Sequence, residues 1–150
     1  MVNITINKVQ LIRESCHRYN IESRYIHIPS DAVKLFNEVF ALEYNAQEVV
    51  AAIYLDVKHK VIGVSEISRG SLTASILSPR QIYIAALLQN ADSIIIAHNH
   101  PSGDAEPSAE DIKVSCQMVE AGRILAVDFL DHIIIGHKCF TSLKESGYIK

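Results

Sequence analysis

The sequence predicts one α/β domain (α+β by some criteria), in which helices pack on a mixed, curved β-sheet. Two apolar runs, residues 49–55 and 93–97, have the length and composition of strands buried inside a sheet. Two other segments, residues 32–42 and 109–122, carry the apolar side chains and capping residues of helices that pack on a core. Strands and helices therefore alternate loosely along the chain, with hairpins among the strands, which is typical of this class.

Length and composition indicate a single globular domain over residues 1–150. Hydrophobic residues make up 49% of the chain and charged residues 21%, which excludes a disordered protein. The formal net charge of −3 indicates no general attraction to nucleic acid or to an anionic membrane. Three cysteines stand far apart without a C-x-x-C pair, so neither a disulfide framework nor a thiolate zinc site is indicated. With no signal peptide or membrane span, we expect a cytoplasmic protein, whose oligomeric state stays open.

The first third of the chain is predicted to form a strand and a helix. Residues 8–14 alternate polar and apolar side chains, as in an edge strand with Val9 and Leu11 on one face. Ser30-Asp31 is a helix N-cap followed by a first-turn acid, and the helix is expected to run from there to about Leu42.

The middle of the chain is predicted to form a hairpin and a helix. The buried strand at 49–55 leads through a polar turn into a returning strand at 61–67. Ser78 supplies the N-cap and Pro79 the first residue of a helix that is expected to reach Leu88.

The last third contains the second buried strand, a long helix and further strands. After residues 93–97, the turn sequence Pro-Ser-Gly-Asp takes the chain out of the sheet. Ser108 then caps a helix that is expected to stop at Gly122. Residues 124–136 indicate one or two core strands, and a short strand is expected around Cys139.

Two histidines stand at the end of the second buried strand and suggest a metal site. His98 and His100 project to the same side, because side chains alternate along a strand. Catalytic zinc usually takes three protein ligands and keeps a fourth position for water, so a third donor is required. Asp104 and Asp111 are both within reach in sequence, and the spacing alone leaves this choice open.

The spacing His-x-His, seven residues, Ser, two residues, Asp resembles the JAMM motif of JAB/MPN metalloproteases. The chain from about Val9 to its end resembles the bacterial RadC family more closely, on the segments HNHPSGD, PSAED, AGRILAVDFLDHIIIG and SRGSLTASILSPRQIYIAAL. This resemblance implies the JAB/MPN, cytidine-deaminase-like fold. It also implies that His98, His100 and Asp111 bind Zn²⁺ and that Ser108 helps to hold the oxyanion.

A zinc-bound water needs a general base, and a glutamate can serve as one. Glu48 stands at the mouth of the first buried strand, where the catalytic glutamate of JAMM proteases also precedes a buried strand. Glu66, inside the returning strand, is the alternative. Glu48 is also explained as a solvated charge at a strand end.

The resemblance implies a zinc-dependent, metallopeptidase-like hydrolase of amide or isopeptide bonds, acting on a peptide or protein substrate that the sequence does not identify. The alternative is a non-catalytic MPN scaffold or a DNA-repair-associated accessory protein. RadC proteins usually carry an N-terminal helix-hairpin-helix region that binds DNA, and we expect none here because no such segment precedes Val9. The tripeptide His-Asn-His is not an HNH nuclease signature, whose residues are spread over a longer ββα unit.

Two further observations concern residues around the motif. Asn99, between the histidines, fits RadC proteins, whereas eukaryotic JAMM enzymes prefer Ser or Thr there. Asp131 and His132 are neighbours in a predicted strand and so face opposite sides, which favours a structural hydrogen bond near the site. Support for a zinc ligand is the sharper alternative for this pair.

Overall fold

The computed structural model describes residues 2–6, 8, 10–12, 14–19, 21–70 and 78–150. The described elements are α1 (Pro29–Phe40), a 3-10 turn (Leu42–Tyr44), β1 (Val49–Leu55), β2 (Val61–Arg69), α2 (Pro79–Leu88), β3 (Ser93–Asn99), α3 (Ala109–Leu125), β4 (Asp128–Ile135) and β5 (Phe140–Ser142). Within these ranges no helix combines the length and the apolar character that crossing a bilayer requires.

The strands form one sheet in the order β2-β1-β3-β4-β5. Neighbouring strands run antiparallel except β3 and β4, which run parallel. Helix α3 connects these two strands, because parallel neighbours cannot be joined by a tight turn. The predicted α/β class and the mixed sheet with helices on it are confirmed, in the arrangement expected of a JAB/MPN fold.

Strands β1 and β3 are buried along their whole length because apolar cores cover both faces of the sheet. On one face Tyr54 and Ile96 pack with residues of α2 and α3. On the other face Ile53 and Ile95 pack with residues of α1. Since side chains alternate along a strand, His98 lies on the same face as Ile96 and is directed toward α3.

Helix α1 begins at Pro29, so the N-cap predicted at Ser30 is wrong. Proline suits the first helical position because its missing N–H would have no partner there. The carboxylate of Asp31 caps the helix by accepting hydrogen bonds from the backbone N–H groups of His27 and Ile28, which precede the helix. Ala41 adopts the left-handed conformation and ends the helix short of the predicted Leu42.

Residues 8–14 form no strand in their described part, so the predicted edge strand is wrong there. Leu11 and Ile12 are 56% and 76% exposed, and Val9 lies outside the described residues. The chain contacts the start of β2 with residues 24–26 instead, whose backbone hydrogen-bonds to the turn before β2 and to its first residue.

Helix α3 continues through Leu125, so the stop predicted at Gly122 is wrong. A Cβ at Gly122 would lie 2.5 Å from the carbonyl oxygen of Val127 and 2.6 Å from the hydroxyl of Tyr83. The glycine therefore serves close packing inside the helix. Ala126, in the left-handed conformation, ends the helix, and β4 begins later than predicted.

Gly136 is packed against the loop that follows β3, because a Cβ there would lie 2.5 Å from the carbonyl oxygen of Gly103 and 2.7 Å from Sγ of Cys139. We expect Gly136→Ala to lower the free energy of unfolding by about 1–3 kcal/mol through overpacking, measured by urea unfolding. Gly63→Ala is the control, since its Cβ meets only the movable amide end of Gln89. Equal losses in the two variants would contradict this account of Gly136.

Candidate metal centre

Three predicted ligands meet where β3 ends and α3 begins. The ligand atoms of His98, His100 and Asp111 all lie within 4.8 Å of one another. Nε2 of His98 is 3.0 Å from Nε2 of His100 and 3.5 Å from Oδ1 of Asp111. Nε2 of His100 is 3.8 Å from Oδ2 of the same carboxylate. Two imidazoles and a carboxylate thus converge in a group that could hold a metal ion.

The two histidines differ in burial although they share one side of the chain. His98 is in β3 and its side chain is 1% exposed, whereas the side chain of His100 is 22% exposed. The backbone N–H of His100 donates to the carbonyl of Ile135, which extends the β3–β4 pairing past the strand end. The group is therefore enclosed on the His98 side and open to solvent on the His100 side.

The ring of His100 is oriented by the turn that follows it. Its Nδ1 lies 2.9 Å from the carbonyl oxygen of Asp104. A carbonyl only accepts, so Nδ1 carries the proton and Nε2 presents a lone pair to the group. Asp104 contributes its backbone here, while its carboxylate accepts the N–H of Glu106. Of the two candidates for a third ligand, only Asp111 is part of the group.

Ser108 is the N-cap of α3 and holds the carboxylate of Asp111. The Ser108 hydroxyl donates to Oδ2 at 2.7 Å, and the Ser108 backbone N–H donates to the same oxygen at 2.8 Å. The hydroxyl oxygen accepts the N–H of Asp111 at 3.1 Å. This capping box fixes the carboxylate with Oδ1 on the His98 side.

Glu48 and Glu66 stand in different environments. Burial raises the pKa of Glu48, with His100 lowering it and Asp111 raising it, so the Glu48 carboxylate lies within the electrostatic field of the group. Glu66 is exposed and forms a two-bond ion pair with Arg69 at 2.9 and 2.7 Å.

The register of the sheet explains why the two glutamates diverge. Glu66 pairs with Ala51 on the face covered by α1, whereas His98 is directed toward α3. Glu48 comes directly before β1, and Val50 two residues later pairs with His98. Glu48 is therefore the glutamate that the structure brings to the group.

Asn99 connects β3 to the backbone around Glu48, a contact that the sequence did not reveal. Its Oδ1 accepts the N–H of Val49 at 2.8 Å. Its Nδ2 donates to the carbonyls of Asn45 and Gln47 at 3.1 and 3.0 Å. The side chain is buried and holds the chain on both sides of Glu48.

His132 contacts His98 from the neighbouring strand. Its Nε2 lies 2.8 Å from Nδ1 of His98, and its Nδ1 lies 2.7 Å from Oγ of Ser115 in α3. Asp131 faces away, as predicted: its carboxylate accepts the hydroxyl of Ser142 and the backbone N–H of Lys144. Asp131 thus holds the chain that follows β4, whereas His132 contacts the predicted ligand His98.

The charge states of the two buried histidines follow from their surroundings. Burial lowers the pKa of His98 to about 4, with Asp111 acting to raise it and His100 to lower it. Burial also lowers the pKa of His132 well below its usual value, and the neighbouring imidazoles act in the same direction. Both rings are therefore neutral at neutral pH, which is the form that a metal-binding imidazole requires.

We expect Asn99→Ala to lower the free energy of unfolding by about 1–3 kcal/mol, because the buried N–H of Val49 loses its acceptor. Urea unfolding measures the change. Amide hydrogen exchange at Val49 should accelerate more than exchange at Ile95, which lies in the middle of β3. Unchanged exchange at Val49 would contradict the role given to Asn99.

The stability of the metal-free protein should fall as the pH is lowered from about 6.5 to about 4. In this window the unfolded chain binds a proton at residue 98 that the folded chain excludes, so protons favour unfolding. His98→Gln should flatten this part of the pH profile of the urea midpoint. Carboxyl groups with raised pKa, such as those of Glu48 and Asp131, act in the opposite sense but are common to both proteins. Identical slopes would show that His98 does not contribute.

Sequence comparisons agree with the geometry. The chain matches the model of the RadC-like JAB domain over residues 26–148. It is 44% identical over 126 residues to a UPF0758 protein of Methanococcoides burtonii, covering 81% of this chain and 55% of the relative. It is 47% identical over 120 residues to a UPF0758 protein of Caldanaerobacter subterraneus, covering 80% of this chain and 51% of the relative. The chain thus spans about half the length of the curated relatives it matches. Because the match covers most of its residues, the chain belongs to the RadC-like JAB domain family.

Proposed function

We propose that this chain is a zinc-dependent hydrolase of amide or isopeptide bonds. The single observation that carries the proposal is the convergence of His98, His100 and Asp111 in one group, with Glu48 beside it. Two imidazole nitrogens and one carboxylate oxygen are a donor set used by catalytic zinc sites. The side of the group toward His100 is partly exposed, which leaves an approach for water and a substrate.

The donor set fits Zn²⁺ on the chemistry of its atoms. Nε2 of His100 presents a lone pair, and Asp111 presents the oxygen that its capping contacts leave toward His98. His98 is neutral because burial lowers its pKa. In this proposal these three residues hold the ion, which when bound acidifies water and polarises a carbonyl group.

Glu48 is the proposed general base. Its carboxylate is half-buried, and burial raises its pKa, which makes the carboxylate a stronger base. One Oε atom of Glu48 takes the proton of the attacking water and passes it to the leaving amine. The contacts of Asn99 keep the backbone at Glu48 in place during these transfers.

Ser108 is the proposed donor to the oxyanion of the tetrahedral intermediate. Its hydroxyl is at the exposed start of α3 and donates to Asp111 in the substrate-free protein. A rotation about the Cβ–Oγ bond of Ser108 redirects this hydrogen toward a substrate oxygen. The backbone N–H of Ser108 still holds the carboxylate after that rotation.

Glu48→Gln should lower the rate of hydrolysis by about 10²–10⁴-fold, because an amide cannot accept the proton. The zinc-loaded chain would be assayed against a panel of peptides and isopeptide-linked fluorogenic substrates, with bound zinc measured in parallel. Glu66→Gln is the matched control: it makes the same chemical change on the opposite face of the sheet and should leave the rate unchanged.

Two outcomes would contradict the proposal. Equal rates in the wild type and in Glu48→Gln would remove Glu48 from the mechanism. A zinc-loaded wild type that cleaves no member of the panel would favour the non-catalytic scaffold.

A further inference from the structure

A row of buried polar side chains runs from the backbone of α3 to the back of His98. Ser115 Oγ lies 2.6 Å from the carbonyl oxygen of Asp111 and 2.7 Å from Nδ1 of His132. Nε2 of His132 lies 2.8 Å from Nδ1 of His98. Ser115, His132 and His98 are each at most 1% exposed. Water therefore does not compete for these contacts, and the row has to satisfy its hydrogen bonds internally.

We propose that Ser115 and His132 are positioning residues that fix the tautomer of His98, so that its Nε2 presents a lone pair to the metal. The inference rests on the proposed zinc site, because it concerns which ring nitrogen of a ligand is free to bind. Neither residue touches the ion or the substrate in this account. They act through hydrogen bonds to the far side of the ligand.

The contact between Ser115 and the backbone of α3 determines which atom donates in each hydrogen bond of the row. We call this order of donors and acceptors the direction of the row. The carbonyl of Asp111 can only accept, so the single hydroxyl hydrogen of Ser115 is donated to it. Toward His132 the Ser115 oxygen must then accept, which requires a proton on Nδ1 of His132. A serine in a helix commonly bonds to the carbonyl four residues earlier, as here, so this end of the row is a stable local contact.

The direction passes through His132 to the ligand. His132 is fully buried, and a neutral imidazole that is protonated on Nδ1 has its lone pair on Nε2. That lone pair accepts a hydrogen bond from the N–H at Nδ1 of His98. Neutral His98 then has no proton on Nε2, which is the atom that faces His100 and Asp111. The row thus delivers His98 in its metal-binding tautomer.

The opposite direction would favour the metal-free protein. With the proton on Nε2, His98 would donate to the Nε2 lone pair of His100 at 3.0 Å, and the ion would have to displace that proton. In the direction set by Ser115, two lone pairs face each other beside the carboxylate of Asp111, an arrangement that a cation relieves. Ser115 therefore selects between a site ready for metal and a site closed by a hydrogen bond.

Ser115→Ala tests the proposal with minimal change in volume. We expect ¹⁵N NMR of the metal-free wild type to show His98 protonated on Nδ1, and that of the variant to show protonation shifted to Nε2. The zinc affinity of the variant, measured by competition with a chromophoric chelator, should fall about 10–100-fold. Ser93→Ala is the matched control, since Ser93, which lies in β3, is buried like Ser115 and its hydroxyl has no partner among the described residues. It should leave both readouts unchanged.

Ser115→Thr keeps the hydroxyl and should retain the wild-type tautomer and most of the zinc affinity. His98 protonated on the same nitrogen in the wild type and in Ser115→Ala, with equal zinc affinity, would overturn the proposal. A wild type that binds no zinc but shows the expected NMR pattern would overturn the metal site and leave the role of Ser115 in the tautomer intact. The thermal midpoint of each variant distinguishes a folded protein from an unfolded one, and the NMR readout applies to the folded chain.

Discussion

The parallel pairing of β3 and β4 is the constraint on which the site depends. Its register places His98 beside Ile134 and Ile96 beside His132. His98 and His132 are therefore diagonal neighbours on one face of the sheet. A parallel pair needs a crossover, and α3 is that crossover. The start of α3 consequently lies at the carboxyl end of β3, where Asp111 meets the imidazoles. The parallel pairing and its crossover helix thus position two predicted ligands, His98 and Asp111, together with His132, which contacts His98.

Around this pairing, backbone groups hold His100, Asp111 and Asn99. Asp104 orients His100 through its carbonyl, and the backbone of Ser108 holds the carboxylate of Asp111. Asn99 uses both ends of its amide on the chain that flanks Glu48. Backbone groups of well-packed elements move little, so these contacts orient the side chains before any ion or substrate arrives. The arrangement is pre-organised for chemistry at one point.

The parts of the site that could be predicted from sequence depend on local spacing. Strand alternation predicted that His98 and His100 lie on one side of the chain. The spacing of Ser108 and Asp111, three residues apart, is typical of a helix N-terminus. Glu48 was favoured over Glu66 by its position before a buried strand, which resembles that of the catalytic glutamate in JAMM proteases. The register of β1 with β2 then explains why the two glutamates lie on different faces of the sheet.

The parts that could not be predicted depend on contacts between distant segments. Gly122 was predicted to stop a helix, but a glycine is needed there because the position packs closely against Val127 and Tyr83. The contacts of Asn99 join residues about fifty positions apart, and those of His132 cross from β4 to β3 and α3. No local pattern encodes such pairings, because each depends on strand order and register. Residues 8–14 are the opposite case. Their alternating side chains predicted a strand, but the described residues of this segment pair with no strand of the sheet.

Elemental analysis of zinc in the purified chain, after loading and removal of free metal, tests whether His98, His100 and Asp111 bind the ion. We expect about one zinc per wild-type chain, as in a mononuclear site. Asp104→Asn should keep this zinc, because the Asp104 carboxylate is not part of the group, and His100→Ala should lose it. A wild type that holds no zinc, or a His100→Ala variant that holds as much as the wild type, would contradict the account.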